Sequence, residues 1–171
     1  MRGSTHILFS FFVITLVYEL IPTLGSFIPF AYTLSISLFG SITPDIDHPS
    51  SYVSRGNLKS FSVVISTSTP HRGWTHSIFG AVLFTVVLVL FLWYLKIKVT
   101  YALPFFVSYV IHLFADSLNP TGVNWFWPKS KKYGINLIKT GSKEELILQK
   151  LLILGFIGLL VYDAIYNRNI C

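Results

Sequence analysis

The chain is poor in cysteine and in charge. Its one cysteine, Cys171, leaves no second thiol for an intramolecular disulfide or for a cysteine-based metal cage. Charged residues make up 12% of the 171 residues, about half of the ~25% that is typical of soluble domains. Acidic residues are the scarcest, with 7 Asp and Glu against 13 Lys and Arg. Charge inside a membrane is costly, so a carboxylate in such a chain is expected either to lie next to water or to have a function.

Apolar residues are abundant instead: 53% of the chain is hydrophobic and the mean hydropathy is +0.64. A transmembrane helix needs ~20 apolar residues, and five stretches approach that length: His6–Ile21, Phe27–Thr43, Trp74–Leu95, Val99–Leu118 and Leu146–Tyr166. Hydrocarbon satisfies no backbone group, so we predict an all-α polytopic membrane helix bundle of about five transmembrane helices. Leu58–Ser68 is too short to span and is predicted to be re-entrant or interfacial. The length indicates a single domain over residues 1–171.

The distribution of Lys and Arg predicts the orientation in the membrane. Most basic residues, including the lysines from 129 to 143, flank the apolar stretches on one side, whereas Lys96, Lys98 and Arg168 lie on the other. The positive-inside rule then places the N-terminus in the cytoplasm and the C-terminus outside the inner (cell) membrane. Because topology accounts for the net charge of +6, no nucleic-acid partner is expected. Arg2 before an apolar run leaves a signal peptide open as the alternative for the first stretch.

All five histidines and three aspartates fall at the same end of the predicted bundle. Alternate crossings return the chain to the same membrane face, so the stretch ends that carry these residues meet at the cytoplasmic side. They are His6, His48, His71, His76, His112, Asp45, Asp47 and Asp116. The position of these residues at one end is inferred from the predicted spans alone, so it is independent of the distribution of Lys and Arg. A polar cluster at one membrane face is therefore predicted.

The spacing of these residues suits a metal site. His112 and Asp116 are four residues apart, which places them one turn apart on one helix face. Imidazole nitrogen and carboxylate oxygen are ligands for zinc, manganese or iron. In SITPDIDHPSS, Asp45 and Asp47 are two residues apart, so in an extended segment both carboxylates could meet one cation. Each pattern alone also fits a local hydrogen bond or a polar turn, and a structural cluster or a proton path stays open as an alternative.

A further segment, PHRGWTHS, places His71, Arg72 and His76 at the start of the third stretch. The Arg72 guanidinium suits a phosphate or carboxylate, although a positive residue at a cytoplasmic helix end is also expected from topology alone. His6, in THILF, is a candidate ligand only because the other histidines and the aspartates are predicted to lie at the same end of the bundle.

Three blocks, PDIDHPSS, HRGWTHS and HLFADSLNPTGVNWFWP, together resemble the signature blocks of the YdjM-type inner-membrane proteins, a family described as membrane-bound metal-dependent hydrolases. The resemblance runs from Thr5 to about residue 128. More remotely, the arrangement is similar to zinc-dependent phospholipase C. These resemblances imply a phosphoester hydrolase. Because the chain offers fewer ligands than the phospholipase superfamily uses, we expect one or two divalent ions, with zinc as the expected metal, rather than three.

The clustered residues suggest individual roles in such a reaction. The expected metal ligands are Asp45, Asp47, His76, His112 and Asp116, with His6 and His48 as further ligands or as groups that support the ligands. Asp45 or Asp47 would orient or deprotonate the attacking water, Arg72 would bind a phosphoryl oxygen, and His71 would serve as acid or shape its loop. The expected substrate is a membrane lipid or a lipid-linked phosphate at the cytoplasmic leaflet. A non-catalytic metal-stabilised scaffold and a metal or proton transporter are the alternatives, and the oligomeric state stays open.

Overall fold

The structure, a computed structural model, describes residues 1–47 and 73–167. Within these ranges the chain is helical, and the predicted all-α membrane helix bundle is confirmed. The helices are α1 (Gly3–Leu20), α2 (Leu24–Phe27), α3 (Phe30–Ile42), α4 (Ile78–Tyr94), α5 (Ala102–Ser117) and α6 (Lys143–Tyr162). Short 3-10 helices cover Thr43–Asp47, Trp74–His76 and Val99–Tyr101, and a π-helical turn follows α6 at Asp163–Asn167. The segment predicted to be re-entrant, Leu58–Ser68, lies outside the described residues.

Each of the five predicted apolar stretches overlaps one of the longer helices, but the helices differ in length. In the described part of the chain, three segments are long and apolar enough to cross a membrane: Gly3–Leu20, Val99–Ser117 and Lys143–Tyr166. Helix α4 is apolar over 17 residues, and its exposed side chains include Val87, Leu90 and Phe91. Helix α3 has only 13 residues. The chain is thus a membrane protein whose third and fourth helices are shorter than a full span.

Helices α3 and α5 approach each other closely because α3 presents small residues to the interior. Thr33, Ser37, Gly40 and Ser41 are its buried positions. A Cβ atom added at Gly40 would lie 2.3 Å from the carbonyl oxygen of Phe105, so only glycine permits this backbone contact. Small residues allow the same close packing of helices in membranes generally. The contact brings the end of α3 against the end of α5.

The turn before α4 is held from two sides. The hydroxyl of Ser77 caps α4 by accepting the backbone N–H of Gly80 at 3.1 Å. The buried phenol of Tyr109, on α5, donates to the backbone carbonyl of Thr75 at 2.5 Å. Since an N-cap bond and a cross-helix bond fix this short turn, the side chains of Thr75 and His76 have a defined position next to α5.

A buried carboxylate links the beginnings of α1 and α6. Glu145 Oε1 accepts the backbone N–H of Arg2 at 2.7 Å and the hydroxyl of Thr5 at 2.8 Å. Its Oε2 accepts the backbone N–H of Gly141 at 2.6 Å. Buried charge is tolerated when hydrogen bonds replace water. This link therefore anchors the first turn of α1, which carries His6.

Candidate metal centre

Five of the predicted site residues come together at one end of the bundle: His6, Asp45, His76, His112 and Asp116. They belong to the first turns of α1, the 3-10 turn after α3, the turn before α4 and the last turns of α5. Their ligand atoms form two groups, one with His6, Asp45 and His112 and one with His76, His112 and Asp116, and within each group these atoms lie within 4.8 Å of one another. All are buried except Asp45, whose side chain is 20% exposed. The donor atoms therefore meet in a largely dry site with one partly open side.

The distances between the donor atoms are close to those around a small tetrahedral ion. His76 Nε2 lies 3.4 Å from both His112 Nε2 and Asp45 Oδ1 and 3.7 Å from Asp116 Oδ2. His112 Nε2 lies 3.7 Å from Asp45 Oδ1 and 3.9 Å from Asp116 Oδ2. Two ligands of a tetrahedral ion with bonds of ~2.1 Å are ~3.4 Å apart. The measured separations are at or slightly above this value, so small side-chain movements would give bonding distances.

The ring of His112 is oriented by a backbone group. Its Nδ1 lies 2.7 Å from the carbonyl oxygen of Ser41. A carbonyl can only accept a hydrogen bond, so Nδ1 carries the proton and Nε2 of the neutral ring keeps its lone pair. Both groups of donors contain His112, and only one of its nitrogens is available to a cation. The two groups therefore converge on the same nitrogen.

The ring of His76 is supported on the side opposite to the cluster. Its Nδ1 lies 3.5 Å from Asp47 Oδ2 and 3.2 Å from the hydroxyl of Thr75. That hydroxyl donates to Asp47 Oδ2 at 2.9 Å. Asp47, expected from its spacing to bind the ion directly, thus lies behind His76 and belongs to neither group of donors. A carboxylate in this position orients a metal-binding histidine and makes its other nitrogen a better ligand.

Electrostatic interactions inside the cluster shift the pKa values of Asp45 and His76. Burial alone raises the pKa of Asp45, but its interactions with His112, His76 and His6 bring it well below its ordinary value. Burial alone lowers the pKa of His76, but hydrogen bonds to Asp45 and Asp47, with the charges of both, raise it to about 9. Asp45 is therefore ionised at neutral pH, and a cation that binds His76 displaces a proton.

His6 is the least satisfied member of the cluster. Its ring stacks on that of His112, with centroids 3.7 Å apart and planes 16° apart. Its Nε2 is 3.3 Å from Asp116 Oδ1, but the geometry is not that of a hydrogen bond, and among the described residues neither buried ring nitrogen has a hydrogen-bond partner. The amino group of Met1 lies 2.5 Å from the same Asp116 oxygen. A buried unpaired imidazole is costly. Together with the nitrogen and oxygen donors and their spacing, it shows that these residues fit a divalent cation.

The remaining predicted residues, His48, His71 and Arg72, lie outside the described residues, and their roles stay predictions. Sequence reasoning missed the contribution of Ser41, which acts through its backbone carbonyl. Any residue type carries that group, so no side-chain pattern could have identified it. The small residues of α3 were the available signal, since they predict close approach to another helix.

The comparisons with known proteins agree with the motifs. The family model described as "YdjM inner membrane protein" matches residues 1–169. The chain is 32% identical over 136 residues to "Inner membrane protein YdjM" of Escherichia coli (strain K12) and of Shigella flexneri, and each match covers 75% of this chain. It spans 66% of the length of these relatives, and no solved structure matches it. The resemblance read from the three sequence blocks is confirmed: the chain belongs to the YdjM family of inner membrane proteins.

Proposed function

We propose that the protein is a membrane-embedded metal-dependent hydrolase that cleaves a phosphoester of a lipid or lipid-linked substrate at the cytoplasmic leaflet. One observation carries the proposal: three imidazoles and two carboxylates from separate segments meet at donor distances at one end of a membrane bundle. Zinc is the preferred ion, because nitrogen and oxygen donors at near-tetrahedral spacing match its common coordination. The convergence of both donor groups on His112 Nε2 supports one ion.

The burial of the donors suggests how they divide their roles. His76, His112 and Asp116 form the fully buried group and would hold the ion, as three protein ligands do in many catalytic zinc sites that keep one position open. Zinc in such a site acts as a Lewis acid and lowers the pKa of a water molecule to about 7. Asp45 is partly exposed and ionised, and lies 3.4 Å and 3.7 Å from the two imidazole nitrogens. Its carboxylate would orient the attacking water and accept its proton.

The surroundings of the cluster favour a lipid substrate. The backbone N–H of Ile78, at the start of α4, donates to the carbonyl of Trp125 at 3.0 Å, and the Trp127 ring packs against Phe79 with centroids 5.1 Å apart. The exposed aromatic residues Phe126 and Trp127 are thereby attached to the turn that carries His76. Exposed lysines follow directly, at Lys129, Lys131 and Lys132. Aromatic side chains suit the membrane interface and lysines attract anionic headgroups. Arg72 is proposed to bind a phosphoryl oxygen.

A non-catalytic scaffold is the second candidate, and the topology of the cluster favours it. The donors come from α1, α5 and the two turns between them. An ion at this place would therefore cross-link segments that are far apart in sequence and would stabilise the bundle without any reaction.

Metal analysis combined with a lipid phosphate-release assay tests the hydrolase and separates it from the scaffold. The full chain is purified in detergent, its metals are measured, and phosphate release is followed from anionic and zwitterionic phospholipids and a prenyl phosphate. We expect zinc and turnover in the wild type, neither in His112→Ala, and zinc without turnover in Asp45→Asn. Ser35→Ala is the matched control, because this exposed hydroxyl donates to the Ala31 carbonyl of its own helix. A wild type without bound metal would refute the proposal, and bound zinc with no turnover but unfolding on chelation would establish the scaffold.

A further inference from the structure

The three clustered histidines differ in the hydrogen-bond partner of their second ring nitrogen, the one that does not face the cluster. Nδ1 of His112 donates to the carbonyl of Ser41, and Nδ1 of His76 lies against Thr75 and Asp47. A metal-binding histidine almost always donates this second N–H to a carboxylate, a carbonyl or a water molecule. In His6, Nε2 lies 3.3 Å from Asp116 Oδ1, but within the described ranges Nδ1 has no hydrogen-bond partner. His6 is thus the imidazole of the cluster whose second nitrogen no described protein group holds.

Two buried hydroxyls on the helices that carry His6 and His112 also lack the hydrogen bond that is usual in a helix. Serine and threonine in helices commonly donate to the carbonyl three or four residues earlier, as Ser37 does to Thr33 at 2.6 Å and Ser117 does to Leu113 at 2.9 Å. Ser10 and Ser108 are fully buried, with 0% exposure, and their hydroxyls make no such bond. Inside a membrane bundle no bulk water is available to take the place of the missing hydrogen bond. These two hydroxyls therefore require another polar group between the helices.

The positions of the two serines place them in one layer directly beneath the cluster. Ser10 follows His6 by four residues on α1, and Ser108 precedes His112 by four residues on α5, so each is ~6 Å along its helix from its histidine, on the same face. The two helices run in opposite directions with respect to the cluster, and the stacked rings of His6 and His112 show that they face each other at this level. Both hydroxyls thus lie in the interface of α1 and α5, on the inner side of His6.

We propose that Ser10 and Ser108 hold a water molecule that accepts the hydrogen bond of His6 Nδ1 and so orients the His6 ring toward the cluster. The inference rests on the proposed metal site. Two hydroxyls and one imidazole nitrogen give the water three partners, about the number that buried waters in proteins make. Nδ1 is the nitrogen involved, because Nε2 faces Asp116. With this water, each of the three imidazoles has a partner behind it, and Ser10 and Ser108 are positioning residues for His6.

Zinc affinity of serine variants tests the role of this water. The full chain is purified in detergent, its metal is removed, and zinc binding is measured by competition with a chromogenic chelator. We expect Ser10→Ala and Ser108→Ala each to weaken zinc binding by ~10- to 100-fold, as is typical when the group behind a ligand is removed. Ser37→Ala should leave the affinity unchanged, since Ser37 is equally buried but bonds to its own helix. In a His6→Ala background, Ser10→Ala should cause no further loss, because the coupling passes through His6.

Three results would overturn the inference. Unchanged zinc affinity in Ser10→Ala and Ser108→Ala, with raised thermal stability of the metal-free protein, would mean that the hydroxyls are simply unpaired; the metal site would then stand without the water. Fully additive losses of affinity in the His6→Ala background would refute coupling through His6. A wild type that binds no zinc would refute the metal site and the water together. Should either variant fail to fold, an experimental structure of the wild type decides: density between Ser10, Ser108 and His6 is expected, and hydroxyls bonded to their own helix carbonyls would overturn the proposal.

Discussion

Gly40→Ala should damage the metal centre although Gly40 touches none of its donor atoms. The added Cβ would lie 2.3 Å from Phe105 O, and ordinary contact begins at 3.4 Å, so α3 and α5 would have to separate by about 1 Å. Ser41, the next residue, would move with α3, and its 2.7 Å hydrogen bond from His112 would be stretched beyond a useful length. Overpacking of this kind costs about 1–3 kcal/mol of folding free energy.

Two measurements follow the effect of Gly40→Ala, with Gly158→Ala as the matched control. Among the described residues, no atom outside the local helix backbone lies within 4 Å of a Cβ at Gly158, in α6, so alanine there should be neutral or stabilising by up to ~1 kcal/mol from helix propensity. Thermal unfolding in detergent should show a lower midpoint for Gly40→Ala alone. Its zinc affinity should fall by ~10- to 100-fold because His112 loses its orienting carbonyl. Wild-type stability and zinc affinity in Gly40→Ala would refute both the close helix contact and its link to the site.

Other perturbations separate the contributions of single groups. Asp47→Asn should weaken zinc binding by ~10- to 100-fold, because it removes the charge behind His76 but keeps the shape of the side chain; chelator competition measures it, and an unchanged affinity would contradict the orienting role. Tyr109→Phe should destabilise by ~1–3 kcal/mol, since the buried carbonyl of Thr75 loses its donor; an unchanged unfolding midpoint would argue against that bond. Zinc at 100 times its dissociation constant should stabilise the wild type by about 2.7 kcal/mol and His112→Ala not at all, and equal stabilisation of both would place the ion elsewhere.

Much of the site could be predicted because the sequence restricts where polar groups can lie. Apolar stretches of near-membrane length predict helices, and alternate crossings would bring their matching ends to one face, so chain order predicts that His6, His76, His112 and Asp116 lie at the same end of the bundle. The carbonyl of Ser41 and the carboxylate of Glu145 could not be predicted in the same way. In the contact of Ser41 with His112 and in that of Glu145 with Arg2, one of the two groups belongs to the backbone, which every residue possesses, and its position depends on how closely the helices pack.

The geometry of the turn after α3 explains why spacing alone misplaced Asp47. In an extended segment, residues two apart face the same side, which predicted that Asp45 and Asp47 would share one cation. Thr43–Asp47 is a 3-10 helix instead, with three residues per turn, so two residues advance by about 240° and the two carboxylates point in different directions. Asp45 reaches His76 Nε2, which faces the cluster, and Asp47 reaches Nδ1, on the opposite side of the same ring. The tight turn therefore places a charge on each side of one imidazole, which favours a single well-oriented ligand over two carboxylates on one ion.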